Sequence, residues 1–308
     1  MKKSYLIIIA VIFLLVLVIF PYQKREAKIL FVGDMFFDRY IRLVGYNKGE
    51  DFTFSCINNF LKDSDLVVGN LEGPITQNPS SSLGTVVGSP DNFSFTFPSR
   101  IASLLFRNNI KLVNLGNNHI GNFGQAGVIS TRKYLSEAKV NYFGGLSGSL
   151  PDGQIGEPIY RTEIGGTKIS FVSYNEFGGD SPEKVAKKIS DEKASKRTVI
   201  VFAHWGDEYS AVPQRVKDIA KLFANPPAGG GADFIIGSHP HVILPYQKIN
   251  KTSVYYSLGN FIFDQYWNKE VSTGLLLELD IKGVDLKITE HKVSLNRDGK
   301  TCLILDKN

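Results

Sequence analysis

The chain has 308 residues, of which 43% are hydrophobic and 21% are charged, so it can bury a sizeable core in one or two domains. The formal net charge is +5, and residues 1–26 carry +3 of it. The remaining residues therefore lack the basic excess that is typical of a nucleic-acid-binding surface, and we expect no nucleic-acid partner.

An apolar segment close to the N-terminus predicts a membrane anchor. Residues 5–20 contain no charged side chain, and as a helix they would be roughly 24 Å long, against ~30 Å for a bilayer core. The run ends at Pro21 without the small residues of a signal-peptidase site. This favours an uncleaved anchor, at about residues 5–22, over a cleaved signal peptide or a buried helix.

A short tail before a single anchor favours an N-terminus on the cytoplasmic side. We therefore expect a single-pass protein of the cell membrane. Residues 1–26 would form a short cytoplasmic tail and the anchor, and residues 27–308 would form an extracytoplasmic domain.

Beyond the anchor, strand-like and helix-like segments alternate, which predicts one α/β domain. The strand candidates are Lys28–Gly33, Asp65–Gly69, Lys111–Leu115, Asn141–Gly144, Lys168–Tyr174, Thr198–Ala203, Asp233–Gly237, Val254–Leu258, Gly274–Asp280 and Asp285–Val293. The helix candidates are Phe54–Leu61, Ser99–Asn108, Gly124–Ala138, Pro182–Lys193 and Pro213–Ala224. The last two strands have no helix between them and predict an antiparallel extension, and Gln77–Ser94 is predicted to be a loop.

Two features of this pattern concern single residues. Ser181 followed by Pro182 predicts an N-cap and the first position of a helix. Cys56 and Cys302 lie far apart in the sequence, and the pattern leaves open whether they pair or stay free.

Polar residues follow the predicted strands where each strand ends. In an α/β sheet these carboxyl ends form the ligand crevice. The residues concerned are Asp34, Asn70, Glu72, Asn117, Asn118, His119, His204, Asp207, Glu208, His239, His241 and Asn260. Carboxylates, amides and four imidazoles suit Mn, Zn or Fe, so the sequence predicts a site for one or two divalent metal ions.

Six motifs, in order along the chain, resemble the signature series of the CapA-type poly-γ-glutamate capsule biosynthesis proteins. They are Gly33-Asp34-Met35, Asn70-Leu71-Glu72-Gly73-Pro74, Asn117-Asn118-His119, His204-Trp205-Gly206-Asp207-Glu208-Tyr209, Gly237-Ser238-His239-Pro240-His241-Val242 and Ser257-Leu258-Gly259-Asn260-Phe261. That family is similar to calcineurin-like metallophosphoesterases. The resemblance runs from about Ile29 to Asp280, and it implies a four-layer α/β/β/α sandwich with a dinuclear centre.

The resemblance also implies a role for each residue of the centre. Asp34 and His241 would bind the first metal, and Glu72 would take the place of a bridging aspartate. The second metal would be bound by a further set of three residues: Asn118, His204 and His239. His119 would act as a general acid that protonates a leaving group.

Two positions depart from the pattern of the wider superfamily. Phe36 stands where metallophosphoesterases usually carry a histidine ligand, so the first metal would have fewer ligands. Asp38 would replace that ligand only if the following turn brought it back to the site. Asn122 stands where an aspartate often orients the catalytic histidine. We expect Asn70, Asn122, Glu208 and Asn260 to support the ligands or contact substrate.

Three functions compete at this point. The first is a membrane-anchored, metal-dependent component of poly-γ-glutamate or related envelope-polymer biosynthesis that cleaves or transfers an amide or phosphoester bond. The second is a metallophosphoesterase for an unrelated exported substrate. The third is a non-catalytic assembly or export subunit that binds the polymer or other membrane subunits. Phe36 favours the third over the second, whereas His119 favours catalysis.

Overall fold

A computed structural model describes residues 26–86, 88–146, 158–283 and 285–305. The predicted anchor at residues 5–22 lies outside these ranges. Within them, no helix combines the length and the hydrophobicity that crossing a bilayer requires.

The described residues form fourteen strands and six α-helices, with short 3₁₀ helices at Glu50–Phe54, Pro90–Phe93 and Glu176–Gly178. The strands are β1 (Ala27–Met35), β2 (Leu66–Leu71), β3 (Ile110–Asn114), β4 (Asn141–Phe143), β5 (Ile159–Ile164), β6 (Thr167–Asn175), β7 (Thr198–His204), β8 (Phe234–Ser238), β9 (Ile243–Ile249), β10 (Thr252–Leu258), β11 (Asn260–Ile262), β12 (Thr273–Lys282), β13 (Asp285–Leu295) and β14 (Thr301–Leu303). The helices are α1 (Arg39–Lys48), α2 (Asn58–Lys62), α3 (Arg100–Arg107), α4 (Gly124–Glu137), α5 (Pro182–Ala194) and α6 (Gln214–Ala224).

The strands build two mixed sheets. The first has the order β14-β13-β12-β1-β2-β3-β4, with β11 pairing beside the end of β1. The second has the order β5-β6-β7-β8-β10-β9. Strands β1 to β4 run parallel, as do β6, β7, β8 and β10, so the carboxyl ends of each parallel set lie at one edge of its sheet.

Three apolar clusters show how the layers pack. One lies between the sheets, where Phe31 of β1 faces Phe171 of β6 with ring centroids 6.3 Å apart. The second joins the other face of the first sheet to helices α1 to α4, and the third joins the other face of the second sheet to α5 and α6. Both sheets are therefore covered on both faces, which explains why their central strands are continuous apolar runs.

The predicted mixed α/β fold with a sheet-based core is confirmed, and so is the antiparallel extension, since β12 pairs with β13 along its whole length. Ser181 caps α5 as predicted, because its side chain accepts a hydrogen bond from the Lys184 amide. Helix α1 and strands β5, β9, β11 and β14 were not predicted. Strand β9 is an edge strand with mostly exposed side chains, so it lacks the apolar signal of a buried strand.

Cys56 and Cys302 form a disulfide across 246 residues of sequence, with 5.0 Å between their Cα atoms. Cys302 lies on β14, and Cys56 lies between the 3₁₀ turn Glu50–Phe54 and α2. The bond therefore joins the last strand of the first sheet to a segment near the start of the domain. The question that the sequence left open is answered in favour of pairing.

Candidate metal centre

The strand-end residues converge into two adjacent groups, each with ligand atoms within 4.8 Å of one another. The first group contains Asp34, Glu72 and His241, and the second contains Glu72, His204 and His239. Glu72 belongs to both groups, as expected of a bridging carboxylate. These are the two groups that the motifs predicted, although their role as metal ligands stays a prediction.

Close packing of two strand ends places Asp34. Gly33 lies so near Gly259 that an added Cβ would come within 1.9 Å of the Gly259 carbonyl oxygen. The Asp34 amide donates to that oxygen at 3.1 Å. The Asp34 carboxylate accepts from the Asn70 side chain at 2.8 Å and from the His239 amide at 3.0 Å.

Both carboxylates are buried, which disfavours their ionised forms. Burial raises the pKa of Asp34 to about 6. Burial, and then the neighbouring Asp34 carboxylate, raise the pKa of Glu72 well above its usual range. A bound divalent cation would offset this cost by pairing with both charges.

The four histidines have the opposite shift. Burial lowers the pKa of His119 and His239 to about 4, and it lowers that of His204 and His241 well below the usual range. All four imidazoles are therefore neutral at physiological pH. A neutral imidazole has a free lone pair, which metal ligation requires.

The segment His239-Pro240-His241 has a strained backbone. The φ angles of His239 and His241 are 96° and 58°, in the left-handed region that non-glycine residues rarely occupy. Such conformations cost about 1–3 kcal/mol each and concentrate at functional sites. Here the two turns aim one imidazole at each group.

The Asn118 side chain lies beside the second group. Its Oδ1 is 2.8 Å from His204 Nε2, while His204 Nδ1 is 3.0 Å from Ser238 Oγ. This separation is that of a hydrogen bond, and it brings the amide oxygen to the edge of the second group. The role of Asn118 as a fourth donor beside Glu72, His204 and His239 stays a prediction.

Two buried polar atoms at the centre have no hydrogen-bond partner: Glu72 Oε1 and His239 Nδ1. An unpaired buried polar atom costs about 1–3 kcal/mol, so native structures rarely keep one without a reason. Both residues belong to the second group, and Glu72 Oε1 is also 3.6 Å from His241 Nε2. These atoms fit metal ligation, because a cation would satisfy them.

His119 lies at the edge of the centre. Its Nε2 is 4.0 Å from Glu72 Oε1, and its Nδ1 is 3.2 Å from Asn122 Oδ1. Asn122 Oδ1 also accepts from the Phe95 amide at 3.0 Å. The predicted orienting contact by Asn122 is thus present, and His119 belongs to neither ligand group.

Phe36 occupies an aromatic cluster behind the first group. Its ring stacks on Phe263 at 4.6 Å and meets Phe95 edge-on at 4.7 Å. Phe263 in turn contacts the His241 ring at 4.8 Å, and Phe95 contacts the His119 ring at 4.0 Å. An apolar wall therefore occupies the position at which metallophosphoesterases usually carry a further histidine ligand.

Asp38 does not replace that ligand. It pairs with Arg42 at 2.7 Å and accepts from Ser82 and the Thr96 amide, each at 3.0 Å. It thus organises the predicted loop at residues 77–94. Neither group of ligating side chains found among the described residues includes it.

The remaining predicted residues differ in position. Asn70 contacts Asp34 and His204, and Asn260 Oδ1 is 2.9 Å from His241 Nδ1, so both orient ligands. Glu208 is exposed and lines an adjoining cavity, and neighbouring Asp207 pairs with Arg215.

Sequence reasoning missed several supporting residues. Ser238 holds His204, and Phe177 packs on the His239 ring at 4.3 Å. Gln265 accepts from Asn260 at 3.0 Å and donates to the Tyr209 hydroxyl at 2.8 Å. A chain of hydrogen bonds therefore runs from His241 through Asn260 and Gln265 to Tyr209. Ser238 and Tyr209 lie inside the motifs, but Phe177 and Gln265 have no sequence signal of their own.

Solved structures with a similar fold define the class of protein. A hypothetical protein from Thermus thermophilus matches with a TM-score of 0.54 and 18% identity, covering 86% of this chain and 98% of that one. A putative 5′-nucleotidase from Staphylococcus aureus matches at 0.51 and 11% identity, over 92% and 55% of the chains. The NAD nucleotidase of Haemophilus influenzae matches at 0.50 and 14% identity, over 91% and 54%. The mixed α/β fold with two sheets resembles that of metallophosphoesterases.

Within that class, the family is clear. Residues 28–265 match the model of the bacterial capsule synthesis protein family PGA_cap, and the chain belongs to this family. It is 28% identical over 261 residues to the PGA biosynthesis protein CapA of Bacillus subtilis, and 27% identical over 278 residues to the capsule biosynthesis protein CapA of Bacillus anthracis. The matches cover 80% and 83% of this chain but only 66% and 65% of those relatives.

Proposed function

We propose that the protein is a metal-dependent component of poly-γ-glutamate capsule or related envelope-polymer biosynthesis that cleaves or transfers an amide or phosphoester bond. The family and its two curated relatives support the biosynthetic role. The observation that carries the chemistry is the pair of buried ligand groups joined at Glu72, with unpaired Glu72 Oε1 and His239 Nδ1.

Asp34, Glu72 and His241 would hold one divalent ion, and Glu72, Asn118, His204 and His239 would hold a second. When bound, such ions supply Lewis acidity and lower the pKa of water. The chain itself supplies the proton donor and the exclusion of water. Phe36, Phe95 and Phe263 form a dry wall behind the ligands.

His119 would move the proton of the reaction. It belongs to neither group, yet its Nε2 is 4.0 Å from the shared carboxylate. Asn122 Oδ1 accepts a hydrogen bond from Nδ1, so Nε2 of the neutral ring would first take a proton from the attacking water and then donate it to the leaving group. A purely structural metal site has no use for a neutral imidazole held in this way.

We further propose the four-layer α/β/β/α sandwich for residues 27–308 and an extracytoplasmic position for them, behind the anchor at residues 5–22. The three apolar clusters support the layering. The Cys56–Cys302 disulfide supports an oxidising compartment, because such bonds are rare in the cytosol. Other membrane subunits of a synthase or export complex would be the partners.

The test combines metal counting with turnover. Full-length protein purified without chelator would be measured by elemental mass spectrometry and assayed on poly-γ-glutamate and on a generic phosphoester. We expect one or two ions of Mn, Zn or Fe per chain, and hydrolysis or transfer that stops with chelator. His119→Asn would keep the metal and lower turnover by about 100-fold or more, since general acid catalysis contributes about 10²–10⁴-fold.

Two outcomes would contradict the proposal in different ways. Metal-free protein that gains no ions on dialysis against Mn²⁺ or Zn²⁺ would exclude the metal centre. Metal-loaded protein that binds poly-γ-glutamate but turns over neither substrate would favour the non-catalytic assembly subunit. The aromatic wall at Phe36 limits the first group to three ligating side chains. This observation favours the non-catalytic assembly subunit as the alternative function.

A further inference from the structure

A cavity of about 470 Å³ opens beside the metal centre and is not accounted for by the ligand groups. Its walls include Arg39, Phe93, Glu208, Tyr209, Gln265 and Trp267. Its volume lies within the range of about 300–1,000 Å³ that is usual for small-molecule sites.

Two wall residues connect the cavity with the centre. The Tyr209 ring lies 5.9 Å from the His241 ring, nearly parallel to it at 30°. Phe93 lies two residues before Phe95, whose ring packs on His119. A group bound in the cavity would therefore contact residues that border the first ligand group and the proposed proton donor.

Four of the residues that line the cavity have exposed aromatic side chains. Trp267 is 58% exposed and meets the Tyr209 ring edge-on at 5.4 Å, and Tyr40 and Phe93 are exposed as well. Exposed aromatic rings gathered around one cavity offer large, rigid contact faces at a low entropic cost. The exposed Glu208 carboxylate lies among them and can accept hydrogen bonds from the hydroxyl groups of a ligand, whereas the buried Gln265 and Asn92 amides are held by other side chains.

The charge of the walls narrows the choice of ligand. Arg39, Glu208 and Asp264 are the charged residues among the described ones that line the cavity, which gives one positive and two negative charges. The Arg39 guanidinium is already held by Asp264 through two hydrogen bonds and by the Asn92 side chain at 3.1 Å. Poly-γ-glutamate has a free carboxylate on every residue, and the cation that lines the cavity among the described residues is already paired, so we expect this polymer to bind poorly there.

We propose that the cavity binds an uncharged sugar ring of an envelope glycan, stacked on Trp267 with the Tyr209 ring beside it. A sugar ring has C–H groups on its faces and hydroxyl groups on its rim, which match an exposed aromatic face beside the Glu208 carboxylate. The proposal deepens the proposed function, on which it rests: it adds a glycan to the substrate of the same site.

The two tryptophans of the chain make the test direct. Trp205 is buried and donates to the Tyr256 carbonyl, so ligand-dependent changes in emission report on Trp267. Full-length protein would be titrated with chitotetraose, a neutral N-acetylated glycan. We expect a saturable change in emission, and no such change with a poly-γ-glutamate oligomer of similar length.

Three variants separate stacking from other effects. Trp267→Phe removes the emission change but keeps an aromatic face, so calorimetry should still detect binding. Trp267→Ala and Tyr209→Ala should each weaken binding by about tenfold or more, in keeping with the energy of aromatic contacts. Tyr246→Ala, an exposed tyrosine on β9 in the far edge of the second sheet, is the matched control and should bind as the unchanged protein does.

Saturable binding of the poly-γ-glutamate oligomer that Trp267→Ala abolishes, without binding of chitotetraose, would overturn the proposal. Equal binding of chitotetraose by Trp267→Ala would do so as well. Neither result depends on metal or turnover. Failure of the glycan proposal is therefore distinguishable from failure of the metal-dependent function, which metal counting and the His119→Asn variant test separately.

Discussion

The two ligand groups of the centre share one carboxylate but differ in what surrounds them. The second group has Glu72, His204 and His239, with Asn118 Oδ1 2.8 Å from His204. The first has Asp34, Glu72 and His241, and the Phe36 cluster lies behind it. With four proposed donors against three, we predict that the second group binds its ion more tightly than the first.

Removing the shared carboxylate is expected to have the largest effect. Glu72→Gln takes a charged ligand from both groups, so we expect both ions to be lost. At free metal about 100 times the Kd, bound metal stabilises the unchanged protein by about 2.7 kcal/mol, and the variant should lose this gain. Elemental mass spectrometry and thermal unfolding with and without chelator would measure the two effects.

The chelated proteins provide the control on folding. Because burial and Asp34 raise the pKa of Glu72, the neutral amide should leave the metal-free variant at least as stable as the metal-free parent. Glu137→Gln, at an exposed position at the end of α4, should change neither quantity. A Glu72→Gln protein that still holds two ions would contradict the prediction that Glu72 binds both of them.

Substitutions that remove a ligand from only one of the two groups are expected to have the next largest effect. His239→Ala should release the metal of the second group and spare the first, and His241→Ala should do the reverse. Each should weaken its own site by more than about 100-fold, since loss of an outer-shell partner alone costs about 10–100-fold. Stepwise chelation followed by metal counting would resolve the two sites, with His291→Ala, on β13, as the control.

In the unchanged protein, the comparison predicts an order of release. The ion of the three-donor group should leave at a lower chelator concentration than that of the four-donor group. Simultaneous release of both ions, or earlier release of the ion beside Asn118, would contradict the prediction that the second group binds its ion more tightly than the first.

How far the sequence predicts this centre depends on the residue. Asp34, Glu72, His204, His239 and His241 follow apolar strands, and parallel strands bring their carboxyl ends together, so their convergence follows from the pattern. The two-sheet core follows less directly: continuous apolar runs predict strands covered on both faces, but only the family resemblance implied two packed sheets.

The supporting residues follow from no local pattern. Gln265 reaches Asn260 only because the chain folds back after β11, and Phe177 lies in a 3₁₀ turn with no strand or helix period. Strand β9 forms because it pairs with β10, and its own residues lack the apolar pattern of a buried strand. Long-range packing decides these positions, and a single sequence shows only local periodicity.

The smallest expected effect comes from restoring an imidazole to the first group. In Phe36→His the new ring would lie between Phe95 and Phe263, whose rings contact His119 and His241. Burying an unpaired polar group there should lower the stability of the metal-free protein by about 1–3 kcal/mol. Metal retention by the first group should rise by about tenfold, since the variant gives it a fourth donor, and stepwise chelation would detect the change.

Phe54→His separates the two consequences of that substitution. Phe54 is fully buried in the same helix-side cluster and belongs to neither ligand group, so its replacement should destabilise the protein without changing metal release. A Phe36→His protein that is destabilised like Phe54→His and gains no metal affinity would show that packing in the aromatic cluster keeps the side chain at position 36 away from the ligands. The difference between the two halves would then be fixed by packing around Phe36 as well as by the identity of the side chain.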